Sequence, residues 1–543
     1  MSVVLDLADI QGNILEAYPK QGYFKGRTIL LNIGGDTEKS RAANGRHFVT
    51  QLLPRVTSAL ATSGSGDAAQ PPAITVNIAF TFYGLLTLGV PTRTLRGLPD
   101  EFIDGMAKRA RMLGDDFSGA DWRSKWDEVW QQAAPEDAVH ILVVLNQRYT
   151  ASAADLDAAT DSIVSLGKQY RIEVRGGHNP PGHADQPLYQ DLTALFDAQG
   201  RPTPKEHFGF SDGISDPVFE GQYPAAKEQA AAIGQGAVDG KGNWRALAAG
   251  EFLLGYPDEA QEIPGSAMPL AFSRNGTFLA YRKLHENVAS WRKFIDDQAA
   301  KFAAVRGIAD VNVARETLVA KMAGRWSDGV PLVKAKDFAA WQAFNEQYPE
   351  GSAERERALV DFTYGDDPDG GACPMTSHTR RVNTRDALDP WVAAGQPKQA
   401  AGSVLNNRRR ILRRGLPYGS SGPDTTDADD HGIVMLVVCS SLARQFEFVQ
   451  QQWIHYGVDA RAGNDTCPIV GNHSQGAATP DDYARERNGP KAKFVVPSDP
   501  ASGKPPYIAE GLPQFVETRG GEYFFVPSLT ALRMIGMGTV DPT

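Results

Sequence analysis

Three short stretches carry side chains suited to chemistry. In HFGFSDGIS, His207 to Ser215, Asp212 stands between Gly209 and Gly213 and follows Phe208 and Phe210. The glycines permit tight backbone paths and the phenylalanines supply an apolar wall. A carboxylate on such a wall is pulled two ways, since burial raises its pKa and a nearby arginine lowers it. That balance suits a proton shuttle, whereas capping of a turn is the purely structural reading. In GGACPMTSHTRRVNTRD, His378 lies five residues after Cys373 with no Cys-x-x-Cys or His-Glu-x-x-His partner. The spacing matches no common zinc site. A porphyrin iron, by contrast, needs only one protein nitrogen, with an acceptor for the other ring nitrogen. A histidine hydrogen-bonded inside a loop is the alternative. In NRRRILRR, Asn407 to Arg414, five arginines crowd into eight positions. Their repulsion needs solvent as an outlet, or an anion such as a propionate, a phosphate or an acidic polymer. Helical spacing puts Arg410 and Arg413 on one face.

The elements that must hold these residues mix strands and helices. GRTILLNI (26–33), ITVNIAFTF (74–82), AVHILVVLN (138–146), GTFLAYRKL (276–284) and HGIVMLVVCS (431–440) read as strands. FIDGMAKRARMLG (102–114), SAADLDAATDSIVSLGKQY, NVASWRKFIDDQAAKF (287–302) and LARQFEFVQQQWIHYG (442–457) read as helices. Strand and helix do not alternate regularly, so the expected class is α+β rather than a doubly wound parallel sheet. Similar elements recur in both halves, without a convincing sequence repeat. Residues 351–375 and 458–515, rich in Asp, Gly, Pro and Asn, read as long loops.

Composition sets outer bounds. The chain has 543 residues, 42% hydrophobic, ample for one large core or two medium ones. A net charge of -10 argues against a general nucleic-acid binder. Three cysteines, Cys373, Cys439 and Cys467, are too few for a disulfide scaffold and fit a reducing compartment. MSVVLDLADIQGNILEAYPK lacks a basic leader and a long apolar core, and no run approaches the roughly 18 apolar residues of a membrane helix. A soluble cytoplasmic protein with no membrane partner is expected, and a homo-oligomer is compatible with the sequence. An acyl-transfer hydrolase is disfavoured, because GNHSQG (471–476) places a serine near a histidine without a nucleophile elbow.

Taken together, the chain resembles the dye-decolorizing peroxidases, in their larger subgroup. The resemblance runs from DIQGNIL (9–15) through NIAFTFYGLLTLGVP, HFGFSDGIS, GEFLLGYPDE, SRNGTFLAYRKL, CPMTSHTRRVNTRD, ILRRGLPYG and FEFVQQQW to GGEYFFVPSLTALR. It implies an α+β fold of two ferredoxin-like units with antiparallel sheets packed against helices. Residues 1–225 then form an N-terminal unit carrying the acidic loop, and residues 226–543 a C-terminal unit with long loop insertions that binds the haem. It implies one haem b (iron protoporphyrin IX) per chain, with His378 as the iron ligand, Asp212 as the distal acid, and Arg413 as a distal arginine that also reaches a propionate. Phe272 and Arg274 are then among the haem-contacting groups. The implied activity is reduction of hydrogen peroxide and one-electron oxidation of dyes, phenols or other aromatic donors, through a ferryl–porphyrin radical. A haem carrier without significant turnover is the alternative, and an anion-binding interaction protein is a further one. Glu447, in the FEFVQ helix, is expected as the acceptor behind His378, and Trp453 and Tyr456 as core packing rather than electron-transfer sites. Met375, Thr379 and Thr384 depart from the family's usual pattern, so the pocket wall is expected to differ while ligation is kept.

Overall fold

The computed structural model describes residues 3–63, 71–115, 122–132, 134–178, 188–239, 243–264, 267–389, 404–463, 465–473, 492–498 and 502–540. Its framework is one ten-stranded sheet. Five strands precede residue 225: β1 (Tyr23–Ile33), β2 (Ile74–Phe80), β3 (Ile141–Arg148), β4 (Ile172–Val174) and β5 (Gln190–Thr193). Five follow it: β6 (Thr277–Glu286), β7 (Leu412–Arg413), β8 (Leu416–Tyr418), β9 (Gly432–Cys439) and β10 (Val516–Val526). The order is β8-β9-β6-β10-β2-β3-β1-β4, with β5 also on β1 and β7 also on β9. Neighbouring strands are antiparallel. The two groups of five meet at a narrow seam, where Phe525 of β10 pairs with Phe80 of β2.

The inner strands are buried on both faces, which explains their unbroken apolar runs. Ile141 to Leu145 of β3 are all buried. Helices cover the sheet. α1 (Glu38–Leu52) starts at Thr37, whose hydroxyl accepts the Ser40 N–H at 3.1 Å, and α2 (Ala153–Gln169) starts at Ser152, whose N–H donates to Asp155 at 2.9 Å. α3 (Val288–Arg306) and α4 (Val311–Ala323) pack together, each closed by a left-handed glycine, Gly307 and Gly324. A second core lies between these helices and the hairpin of Lys493–Val496 with Tyr507–Glu510, around Trp291, Ile295, Leu318 and Phe494. A third gathers Trp326, Leu332, Phe344 and Tyr364. Two further helices complete the frame, the short α5 (His378–Val382) and α6 (Leu529–Met537), the latter packed on α1.

Two sequence expectations change. The helix expected over 102–114 breaks into Asp100–Asp104 and Met106–Arg109 at Gly105, whose φ is +76°. A Cβ there would sit 3.1 Å from the Glu522 carboxylate, which accepts the Met106 N–H at 2.7 Å. Residues 442–454 coil as a π-helix, in two runs, rather than as an α-helix. Within the loop expected at 458–515, residues 464, 474–491 and 499–501 lie outside the described residues, and Ser474 of GNHSQG is among them. The three cysteines are free and buried. Among the described residues no helix is long and apolar enough to cross a membrane.

Candidate active site

The Asp212 loop is built by its own backbone and by two buried carboxyls. Glu206 N–H donates to Phe210 O and Gly209 N–H to Glu206 O, both at 3.0 Å, closing a tight turn that Gly209 permits with φ +97°. The Glu206 side chain, also buried, accepts the Phe208 N–H at 2.8 Å and the Phe210 N–H at 2.6 Å. Phe208 and Phe210 then pack on Trp291 of α3, with ring centroids 4.9 and 5.9 Å away. Ser211 N–H donates to Ser327 O at 3.0 Å and Asp212 N–H to Pro204 O at 2.8 Å. His207 ties the loop to β8 by pairing with Tyr418 O at 3.0 Å and with the Ser421 hydroxyl at 2.9 Å. That tie brings Asp212 to β7, immediately upstream of β8.

On β7 and its flanks the five arginines go to five separate places. Arg408 pairs with Asp258 at 3.0 Å and Arg409 lies 3.7 Å from the Phe448 ring centroid. Arg410 is buried on the carbonyls of Gly236 and Gln235. Arg408 and Arg409 lie in a turn and the chain is extended at Leu412 and Arg413, so Arg413 and Arg414 point to opposite faces. Arg414 therefore turns inward, to Asp216 at 3.0 and 3.1 Å and to the carbonyls of Asn13 and Ile14. Arg413 turns the other way and donates to Asp212 Oδ1. Neither a solvated face nor a shared anion patch results.

Asp212 Oδ1 also accepts the Gly213 N–H at 2.7 Å, which leaves Oδ2 as the freer oxygen. Burial pushes this carboxyl up, but the Arg413 charge and hydrogen bond, the Gly213 N–H and the charge of His378 outweigh it and hold it below 3.8. The Asp212 charge in turn raises Arg413 against its own burial.

His378 opens α5 from the other side. Ser377 anchors the turn to α4 by donating its hydroxyl to Lys321 O at 2.6 Å. Arg380 is buried on Asp367 and Cys373 O, at 2.8 and 2.7 Å, and lies over the Tyr364 ring. Arg381 is buried on backbone carbonyls, among them Trp453 O at 2.9 Å. Asp367 accepts the N–H groups of Ala372 and Cys373, both at 2.9 Å, so the CPMTSH turn is wrapped around one carboxylate. His378 Nδ1 faces Cys467 Sγ at 3.3 Å. Burial pushes the Cys467 thiol up, but the charge and hydrogen bond of His378 and the Arg381 charge bring it down to about 7. Glu447 does not fill the expected place behind His378. Its carboxylate takes Arg109 at 2.7 and 2.9 Å and the Tyr523 hydroxyl at 2.9 Å, because the π-helical turn carries it to β10.

The residues around this recess fit a haem on four grounds. His378 Nε2 has no hydrogen-bond partner among the described residues, and its ring is partly open. The side chains of Asp212 and Arg413 are 49% and 39% open, although burial acts on both, so they line a recess rather than bulk solvent. A Cβ added at Gly209 or Gly213 would meet nothing within 4 Å. Close in sequence to His378 and Asp212, the buried hydroxyls of Thr376, Thr379 and Ser215 have no partner among the described residues. Among the described residues no group of three His, Cys, Asp or Glu is placed to hold a metal, so an iron at His378 needs a macrocycle to complete its ligands.

Phe272 stacks on Phe525 of β10 in the sheet core, and Arg274 is exposed with its guanidinium 4.9 Å from the Tyr256 ring centroid. Trp453 is buried, with its indole N–H on Asp459 at 2.9 Å, while Tyr456 is exposed. Met375 lines a small cavity with Thr384, Leu388 and Trp453, and His378 is not part of its wall.

Glu206 and its buried neighbour Glu286 make the loop sensitive to pH. Burial lifts both carboxyls; for Glu206 the Asp212 charge adds to this while hydrogen bonds from the Phe208 and Phe210 N–H groups and from Glu286 hold it back, and for Glu286 the Glu206 charge adds to it. Glu286 keeps the proton and gives Glu206 the hydrogen bond that the Phe208 and Phe210 N–H groups do not. A pKa raised by folding stabilises the fold below the unfolded value and is lost as pH rises through the folded one. The melting temperature is therefore expected to fall between the ordinary glutamate value of 4.5 and about 7. Glu286→Gln, whose amide donates without a proton to lose, should flatten that slope. An equal slope in the variant, measured by calorimetry, removes the pair from this role.

Comparisons with known proteins agree with this geometry. The chain is 28% identical over 556 residues to Peroxidase 2 of Mycetinis scorodonius, covering 98% of this chain and 88% of that protein. It is 26% identical over 553 residues to dye-decolorizing peroxidase AauDyP1 of Auricularia auricula-judae, covering 97% and 86%. The crystal structure of a decolorizing peroxidase from Auricularia auricula-judae superposes with a TM-score of 0.70 at 23% identity, over 98% of this chain and all of that one. No family model matches the chain. The sequence motifs, the relatives matched over nearly the whole chain and the shared fold all point strongly to the dye-decolorizing, DyP-type haem peroxidase family.

Proposed function

We propose that the protein is a hydrogen-peroxide-dependent haem peroxidase that oxidises dyes, phenols or other aromatic donors in one-electron steps. The observation that carries this reading is the Arg413–Asp212 pair, with His378 near enough for its charge to act on Asp212 and its Nε2 without a partner among the described residues. Haem b, one per chain and ligated by His378 Nε2, supplies the two-electron reduction of peroxide and the one-electron oxidation of donors. The chain's own groups then move the proton. Arg413 and the Gly213 N–H fix Asp212 through Oδ1. Oδ2 takes a proton from the peroxide oxygen that will be bound and returns it to the oxygen that leaves. The Arg413 guanidinium stabilises the negative charge that develops on the leaving oxygen. A passive carrier has no use for such a pair.

The reading includes a division into ferredoxin-like halves, 1–225 and 226–543, supported by the five strands on either side of the seam. It places the haem against the second half, where His378 and Arg413 lie, with the Asp212 loop reaching over from the first. Cytoplasmic residence is part of it too, supported by three unpaired cysteines. Turnover of an aromatic donor by the haem-loaded protein with peroxide tests the function, and haem binding without turnover would favour the carrier.

The acid side of the pH profile follows from Asp212. A depressed carboxyl stays ionised, and so stays a base, until pH falls below 3.8. The rate of the peroxide step should hold from neutrality down to that point. Arg413→Leu removes the strongest counterweight to burial, so the acid limb should move to higher pH. Stopped-flow rates against pH check this, and an unmoved limb in the variant counts against the pairing.

A further inference from the structure

An imidazole that offers Nε2 to iron carries its proton on Nδ1, and that N–H needs an acceptor. Here the atom facing Nδ1 is a sulfur, Cys467 Sγ at 3.3 Å. The Val470 N–H also donates to this sulfur and the Arg381 guanidinium sets a positive charge near it. Sulfur so surrounded has lone pairs to give, and among the described residues no other acceptor is recorded at His378 Nδ1.

The position is fixed from both sides. Cys467 N–H donates to Ile454 O at 2.7 Å, and its carbonyl takes the Gly471 N–H at 3.1 Å and the His473 ring nitrogen at 2.9 Å. A Cβ at Gly471 would come within 2.5 Å of that carbonyl, so the turn after Cys467 admits no side chain there. Arg381, three residues after His378, holds the carbonyls of Trp453 and Ile454 at 2.9 and 3.3 Å. The guanidinium thus locks the cysteine segment to the same short helix that carries the histidine. The carboxylate expected in that place, Glu447, is engaged by Arg109 and Tyr523.

We propose that Cys467 is the positioning residue that accepts the His378 Nδ1–H bond, in the place where a carboxylate would otherwise stand. The inference rests on the haem reading above. Its sulfur orients the ring and sets its basicity, giving less negative character than an aspartate and more than an apolar neighbour. The test is the iron–histidine stretching band in resonance Raman spectra of the ferrous, haem-loaded protein, with the ferric/ferrous midpoint potential as a second readout. Cys467→Ala should move the band to lower frequency and the potential upward. Cys467→Asp should move both the opposite way. If the alanine variant does not fold, Cys467→Ser keeps the size of the side chain and should also lower the band. A band unmoved across the folded variants overturns the role of Cys467 while leaving His378 as ligand. A wild-type spectrum with no iron–histidine band overturns the haem reading itself, and this inference with it.

Discussion

His378→Ala yields a folded protein that no longer ligates haem iron. The side chain makes one long hydrogen bond, to Cys467, whereas α5 is held by Ser377, Arg380 and Arg381. Removing it should cost the apo-fold less than about 1 kcal/mol, as for a substitution that breaks none of the buried networks. Haem affinity should fall by more than about 100-fold, beyond the 10–100-fold typical of losing only an outer partner of a ligand. Absorption titration with haem and a melting curve of the haem-free protein separate the two effects. Added imidazole should restore part of the Soret spectrum, because the recess left by the side chain opens toward Nε2. A native spectrum in the alanine variant without imidazole removes His378 from ligation.

Asp212→Asn tests the acid-base role with the least disturbance. Asparagine keeps the shape and the oxygen that accepts the Gly213 N–H, but has no carboxylate to take a proton and no charge for Arg413. The haem-loaded variant should bind peroxide yet react with it about 10²–10⁴-fold more slowly, the range typical of a lost positioned acid-base group. The loop should survive, since Glu206, Ser327 and Pro204 hold its backbone. Rapid-mixing absorbance at several peroxide concentrations gives the rate. Wild-type kinetics would show that another group moves the proton.

Much of the frame can be read from residue types. The runs Ile141–Leu145 and Gly432–Cys439 are too apolar for anything but inner strands, and both are. Asp212, His378 and Arg413 stand out because each interrupts its surroundings, and the fold does bring Asp212 and Arg413 into contact across 201 residues. What stayed hidden depends on distant neighbours. The break at Gly105 is set by Glu522, over 400 positions later, and no local pattern announces it. The arginine cluster looked like one feature, yet each guanidinium found its own partner in the fold. The partner of His378 was sought among carboxylates. Cys467 carried no local signal, lying 89 residues away in a stretch read as loop. Only its burial and the donors around it reveal the role.

The most direct test is the absorption spectrum of the haem-free protein titrated with iron protoporphyrin IX, then mixed with one equivalent of peroxide and an aromatic donor. The account predicts saturation at one haem per chain, a histidine-ligated ferric spectrum, a distinct oxidised spectrum on mixing with peroxide, and return to the ferric form as the donor is consumed. Haem that fails to saturate at that ratio, or a bound haem that peroxide only bleaches with the donor untouched, would contradict it.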